Sequence, residues 1–148
     1  MDASEFFNTV VKRNYQEWTG FAGNPDDFRL LWNAIISMNT VPEYMALDQL
    51  GYAQVPRKVL DATAKQIRDK HQSLIDLKFC AEALKHVRKI PGKQKQGSVT
   101  LNVKPSANPA NVTSTNVSSI NRATWIIDGY DLVDVAQRAF NTLSTLVP

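Results

Sequence analysis

Apolar residues recur at intervals of three and four along residues 1–91, and that spacing limits what this chain can fold into more than any other feature. Phe7, Val10, Val11, Tyr15 and Trp18 share one face of a helix expected over Ser4 to Trp18, with Ser4 as its N-cap and Gly20 as its stop. Asn24-Pro25-Asp26-Asp27 then reads as a second start: a cap, a proline at the first helical position and two acids at the positive end of the helix dipole. Phe28, Leu31, Trp32, Ile35, Ile36 and Met38 follow as its stripe. Pro42 interrupts, and Thr40-Val41-Pro42-Glu43 fits a capping box, so either the helix kinks or one helix ends and another begins. The pattern resumes through Tyr44, Met45 and Leu47 and stops at Gly51.

A third helix is expected from Pro56, with Val59, Leu60, Ala64 and Ile67 on one side and Arg57, Lys58, Asp61, Lys65 and Asp69 on the other. Ser73 is the expected cap of a fourth helix, which turns Leu77, Cys80, Ala81, Leu84 and Val87 inward and ends before Pro91. The texture then changes. Residues 92–121 are rich in Pro, Gly, Ser, Thr and Asn, and the 105–121 part reads as a loop. Val99, Leu101 and Val103 alternate with polar residues as in a half-buried strand, and Arg122 to Ile127 is a second strand. Asp128-Gly129 is a turn signal, and Asp131 caps a last helix with Leu132, Ala136, Phe140 and Leu143 as its stripe. The expected fold is mainly α: an antiparallel four- to five-helix bundle with a small β-hairpin before the last helix. It divides one domain into a helical part (1–91), a loop and hairpin (92–128) and a C-terminal helix (129–148).

Composition excludes several classes. The 148 residues suit a single domain, with 43% apolar and 21% charged residues. No apolar run reaches the roughly 20 residues of a membrane span, and the start has no basic segment followed by an apolar block. Cys80 is the one cysteine, so neither an internal disulfide nor a multi-thiolate zinc site is expected. The sequons at Asn111 and Asn116 are chance matches in a Thr/Ser/Asn-rich loop. These readings point to a cytoplasmic protein with no membrane partner and no cofactor.

Charge is unevenly spread. Residues 83–127 hold seven Lys or Arg and no acid, although the whole chain is only +3. The dense part, Lys85, Arg88, Lys89, Lys93 and Lys95, is a candidate anion or nucleic-acid patch. The plainer reading is a solvated helix end, where cations favour the dipole. No aromatic interleaves with it to stack on bases.

Catalytic signatures such as GxSxG, a Walker loop, GxGxxG or HExxH are missing from the sequence. His71 and His86 have no second ligand at metal spacing, and Cys80 and His86 point to different sides of one helix. The most informative polar residues are Asn39 and Glu43, four apart beside the apolar stripe of the second helix. Lys85 and His86 on a neighbouring helix are their expected partners. That set is either a polar network fixing helix register or a small inter-helix site, which Trp32 would also line.

The stretch FCAEALKHVRKI, residues 79–90, resembles the end of an Asp-x-x-Asn-x-x-Lys-His helix in uncharacterised bacterial proteins related to HEPN-type helical domains. Lys85 and His86 stand at the Lys-His positions. Phe79 replaces the Asp, Glu82 replaces the Asn, and Glu43 matches a mid-helix acid on an earlier helix. The resemblance implies a helical bundle ending in a strand pair and a helix, in a bacterial protein. HEPN ribonucleases place an Arg four to six residues before the His; here Arg68 and His71 are separated by two residues, and no Arg precedes His86 at that distance. The expected function is therefore a non-catalytic binding domain, for another protein or its own copy. The alternative is an RNA-binding or ribonuclease-like protein using the basic 85–95 segment.

Overall fold

The computed structural model describes residues 1–52, 54–86, 100–103 and 123–147. Asp2, not Ser4, opens the first helix: its carboxylate accepts the Glu5 N–H at 2.7 Å. An aspartate satisfies a free backbone donor and also complements the helix dipole. The helix runs as α1 (Ala3–Phe6), one π-helical turn (Phe7–Val11) and α2 (Lys12–Thr19). Phe7, Val11 and Trp18 are fully buried along it. The Trp18 indole N–H donates to the Pro25 carbonyl at 3.2 Å, which ties the next connection to the core.

α3 (Phe28–Leu50) starts three residues later than the Asn24-Pro25 signal implies. Asp27 is its cap, accepting from Arg29 N–H at 2.9 Å, while the Asp27 N–H donates back to the Asn24 carbonyl at 3.1 Å. Pro25 and Asp26 therefore shape the connection instead of the first turn. α3 passes through Pro42 without ending, so the capping-box alternative does not occur. The proline lacks an N–H for the Met38 carbonyl, a local cost that a long buried helix absorbs through its packing. Gly51 closes α3 at φ 74°, the left-handed conformation that favours glycine.

α4 (Arg57–Asp69) and α5 (Gln72–His86) follow. Val59 is 44% exposed and does not join the inward face of α4, which is carried by Ala64 and Ile67. Ser73 sits inside the first turn of α5, and its hydroxyl pairs with that of Thr142 at 2.6 Å instead of capping. Strands β1 (Thr100–Val103), β2 (Ala123–Ile127) and β3 (Tyr130–Asp131) form an antiparallel sheet in that order, with Leu101 opposite Trp125 and Ile127 opposite Tyr130. Asp128 and Gly129 both have positive φ, 46° and 83°, as a two-residue primed turn requires. Asp131 then caps α6 (Leu132–Leu146), accepting from Val133 N–H at 3.0 Å.

The chain is thus mainly helical, with a small antiparallel hairpin before the last helix. Leu31, Ile35 and Met38 of α3 meet Leu77 and Leu84 of α5, Trp125 and Ile127 of β2, and Leu132 and Leu143 of α6 in one buried cluster. Trp125 lies 5.6 Å from the Phe28 ring, and Phe140 stacks on Tyr15 at 3.8 Å, so hairpin and last helix both cover the bundle. No helix among the described residues is long and apolar enough to cross a membrane.

Candidate functional site: a buried arginine between two helices

Asn39 and Glu43 lie one turn apart on the side of α3 that faces α4. Asn39 is buried, and the Glu43 side chain is 31% exposed. The residue that meets them is Arg68, near the C-terminal end of α4. Its Nη2 donates to the Asn39 backbone oxygen at 3.3 Å and stands 3.8 Å from Glu43 Oε1. The second Glu43 oxygen lies 3.5 Å from Arg57 Nη1, and Arg57 Nε bonds Asp61 at 2.9 Å. One carboxylate on α3 is therefore shared by two guanidiniums from α4.

Burial lowers the Arg68 pKa, and the charges of Glu43, Glu82, Asp61 and Asp69 oppose that shift. An arginine so placed remains charged near neutral pH. Among the described residues, two buried atoms, Asn39 Oδ1 and Arg68 Nε, have no hydrogen-bond partner. An unmade bond at such a group costs desolvation that is not recovered. Arginine and asparagine supply no proton near neutral pH, so Arg68 and Asn39 orient and pair groups.

Lys85 and His86 lie elsewhere. Both are about half exposed in the last turn of α5, and both pair with Glu82, at 3.7 and 3.5 Å. Among the described residues, Asn39 and Glu43 bond to Arg68 and Arg57, not to Lys85 or His86. Glu82 links the two groups electrostatically, since its charge acts on Arg68 as well. Trp32 meets Phe28 edge-on at 6.0 Å. Of the basic patch, Lys85 is described, whereas Arg88, Lys89, Lys93 and Lys95 lie outside the described residues, as do the sequons and the 105–121 loop. Arg68 escaped the sequence reading, although its spacing from Ala64 and Ile67 puts it on the inward face of α4.

Cys80 is buried on α5, and desolvation pushes its thiol up to about 12, away from the thiolate a nucleophile needs. Among the described residues, no group of three or more His, Cys, Asp or Glu is placed to hold a metal ion. A groove of about 490 Å³ lies between the start of α1 and the ends of α3 and α6, lined by Asp2, Met45, Asp48, Tyr52, Leu146 and Val147. Asp48 accepts the Ala3 N–H there at 2.9 Å, and the Tyr52 hydroxyl donates to the Met1 carbonyl at 2.8 Å. No family model matches this chain, and comparison with curated proteins and with solved structures returns no significant match.

Proposed function

We propose that this chain is a helical interaction domain that works by binding another protein or its own copy. The observation that supports this reading is the outer face of α5. Ile75 and Phe79, one turn apart, are 38% and 39% exposed, and the Phe79 ring lies 5.2 Å from Tyr130 of the hairpin. Two elements thus combine to hold an aromatic pair at the surface. Aromatic side chains at such a spot gain their burial only when something covers them. The test is a photo-crosslinking amino acid at position 79 in cells. A discrete adduct, absent when the probe is moved to Lys65, supports the reading. Equal labelling at the two positions overturns it.

The run of seven bases without an acid in residues 83–127 favours a second reading, an RNA-binding or ribonuclease-like protein of HEPN type. Binding to labelled RNA should then weaken steeply with salt and disappear when Lys89, Lys93 and Lys95 become Glu. Cleavage lost in His86→Ala would make the protein an enzyme. A flat salt response removes this reading. A cytoplasmic, bacterial setting belongs to both proposals.

A further inference from the structure

The groove between the start of α1 and the ends of α3 and α6 has the size of a small-molecule site, about 490 Å³, and a mostly apolar lining. Met45, Leu146 and Val147 supply the carbon surface, and Asp2 and Asp48 supply charge. Asp2 Oδ1 accepts the Glu5 N–H at 2.7 Å, and Asp48 Oδ2 accepts the Ala3 N–H at 2.9 Å. Those donors are neutral, so both carboxylates keep their charge. Among the described residues neither is in an ion pair, and the Met1 ammonium lies 3.8 Å from Glu5 instead. Helix ends add to the same sign. α3 and α6 both end at the groove, and neither has a base in its last turn. Each of these two C-termini carries roughly half a negative charge, against roughly half a positive one at the single N-terminus of α1. The Tyr52 phenol on the groove wall registers the field: a hydrogen bond to Asp48, desolvation and the charges of Asp48 and Asp2 push it up to about 12. Its hydroxyl is tied to the Met1 carbonyl at 2.8 Å, which fixes that wall.

We propose that this groove binds a free primary alkylamine, its ammonium against Asp2 and Asp48 and its alkyl stem on Met45, Leu146 and Val147. An ammonium brings three donors and no acceptor, which suits two carboxylates whose charge no cation of the chain neutralises. The apolar lining stabilises a hydrocarbon stem in proportion to the area it covers. A metal ion would gain nothing from that lining, since it takes oxygen ligands, and among the described residues no group of three His, Cys, Asp or Glu is placed to hold one. An anion meets the wrong sign. A lysine side chain carries the same head group, but the concave shape and the volume suit a free molecule. The groove lies on α1, α3 and α6, away from Phe79 of α5, so this ligand site does not depend on the interaction-domain reading.

The experiment is calorimetric titration of the full chain at pH 7 with ethylamine, butylamine and hexylamine, and with hexanol as the uncharged control. Affinity should rise along the amine series, by up to about fourfold for each methylene that the groove covers. Hexanol should bind at least about tenfold more weakly than hexylamine, and added salt should weaken only the amines. Asp48→Asn keeps an oxygen for the Ala3 N–H and removes the charge, so it should weaken hexylamine about tenfold and leave hexanol unchanged. Circular dichroism confirms that the variant is folded; if it is not, Asp2→Asn answers the same question. No heat with hexylamine, hexanol bound as tightly as hexylamine, or a folded variant with unchanged hexylamine affinity overturns the proposal. N-acetyl-lysine methylamide separates the two sources of an ammonium. Binding weaker than that of hexylamine supports the free amine, and binding about tenfold tighter overturns it in favour of a peptide lysine.

Discussion

Arg68 Nη2 donates to the backbone oxygen of Asn39 at 3.3 Å, anchoring a guanidinium of α4 on the main chain of α3. A carbonyl inside a helix already accepts from its own helix, so the guanidinium uses the second lone pair of that oxygen. The contact fixes how far α4 can slide along α3, because only one position leaves Arg68 both bonded to Asn39 and near Glu43. Its orphaned Nε and the orphaned Asn39 Oδ1 show that the position is held by surrounding packing and not by a complete polar network.

This arrangement predicts an asymmetry between the two charged partners. Glu43→Gln leaves a buried guanidinium with less counter-charge and should destabilise by about 1–3 kcal/mol, below the 3–5 of fully buried pairs because Glu43 is partly solvated. Arg68→Met removes the charge and the unpaired Nε together while keeping an apolar stem, so it should cost less than Glu43→Gln or even stabilise. Urea midpoints of both variants and the double variant check this. A larger loss in Arg68→Met than in Glu43→Gln refutes it.

The cap at Asp131 predicts a cost set by one acceptor. Its Oδ1 takes both the Val133 and the Asp134 N–H, at 3.0 and 3.5 Å. Asp131→Ala should destabilise by about 1 kcal/mol, and Asp131→Asn by much less, since the amide oxygen still accepts. Thermal unfolding of the two variants separates them; equal losses would mean that the cap is not what Asp131 contributes.

Trp125 carries the hairpin's hold on the bundle. It is 3% exposed and packs on Phe28. Trp125→Ala should cost about 3–5 kcal/mol, and Trp125→Phe distinctly less, because a smaller ring still fills part of the space. In native-state hydrogen exchange, the amides of β2 should lose protection before those of α3. Unchanged β2 protection in Trp125→Ala would contradict this role.

Much of the scaffold was legible because its causes are local. The stripes of α3, α5 and α6, the Asp128-Gly129 turn and the Asp131 cap each depend on neighbours a few residues away. What escaped reading depends on distant partners or on near-equal local choices. Asp2 and Ser4 are both good caps, and packing of Ala3 and Phe7 decides for Asp2. Pro42 reads locally as either a kink or a boundary between two helices, and burial of Met38, Asn39 and Val41 around it keeps one helix continuous. Asn39 and Glu43 stood out as polar groups near a core, but which helix packs against them is a long-range choice, and their partner Arg68 comes from α4 instead of α5. Lys85 and His86 were the expected partners of Asn39 and Glu43, yet both pair with Glu82 on their own helix and stay about half exposed.

Cys80 ties this core to pH. Desolvation raises its thiol from 9.0 to about 12, and the nearby charge of Asp76 adds to the shift. The raised folded value means that the unfolded chain loses the thiol proton first. The stability held by the neutral thiol is complete below the unfolded value and is lost as pH rises from about 9 toward 12. Tyr52, also raised to about 12, titrates in the same range in any variant, so the informative quantity is a difference. Wild type minus Cys80→Ala, followed by urea unfolding from pH 8 upward, should slope downward above pH 9 and be flat below it. In parallel, the native thiol should resist a thiol-reactive dye at pH 8 and react at once in denaturant, since thiolate and access both arrive with unfolding. A flat difference curve together with fast native labelling would place Cys80 at the surface, against its complete burial on α5.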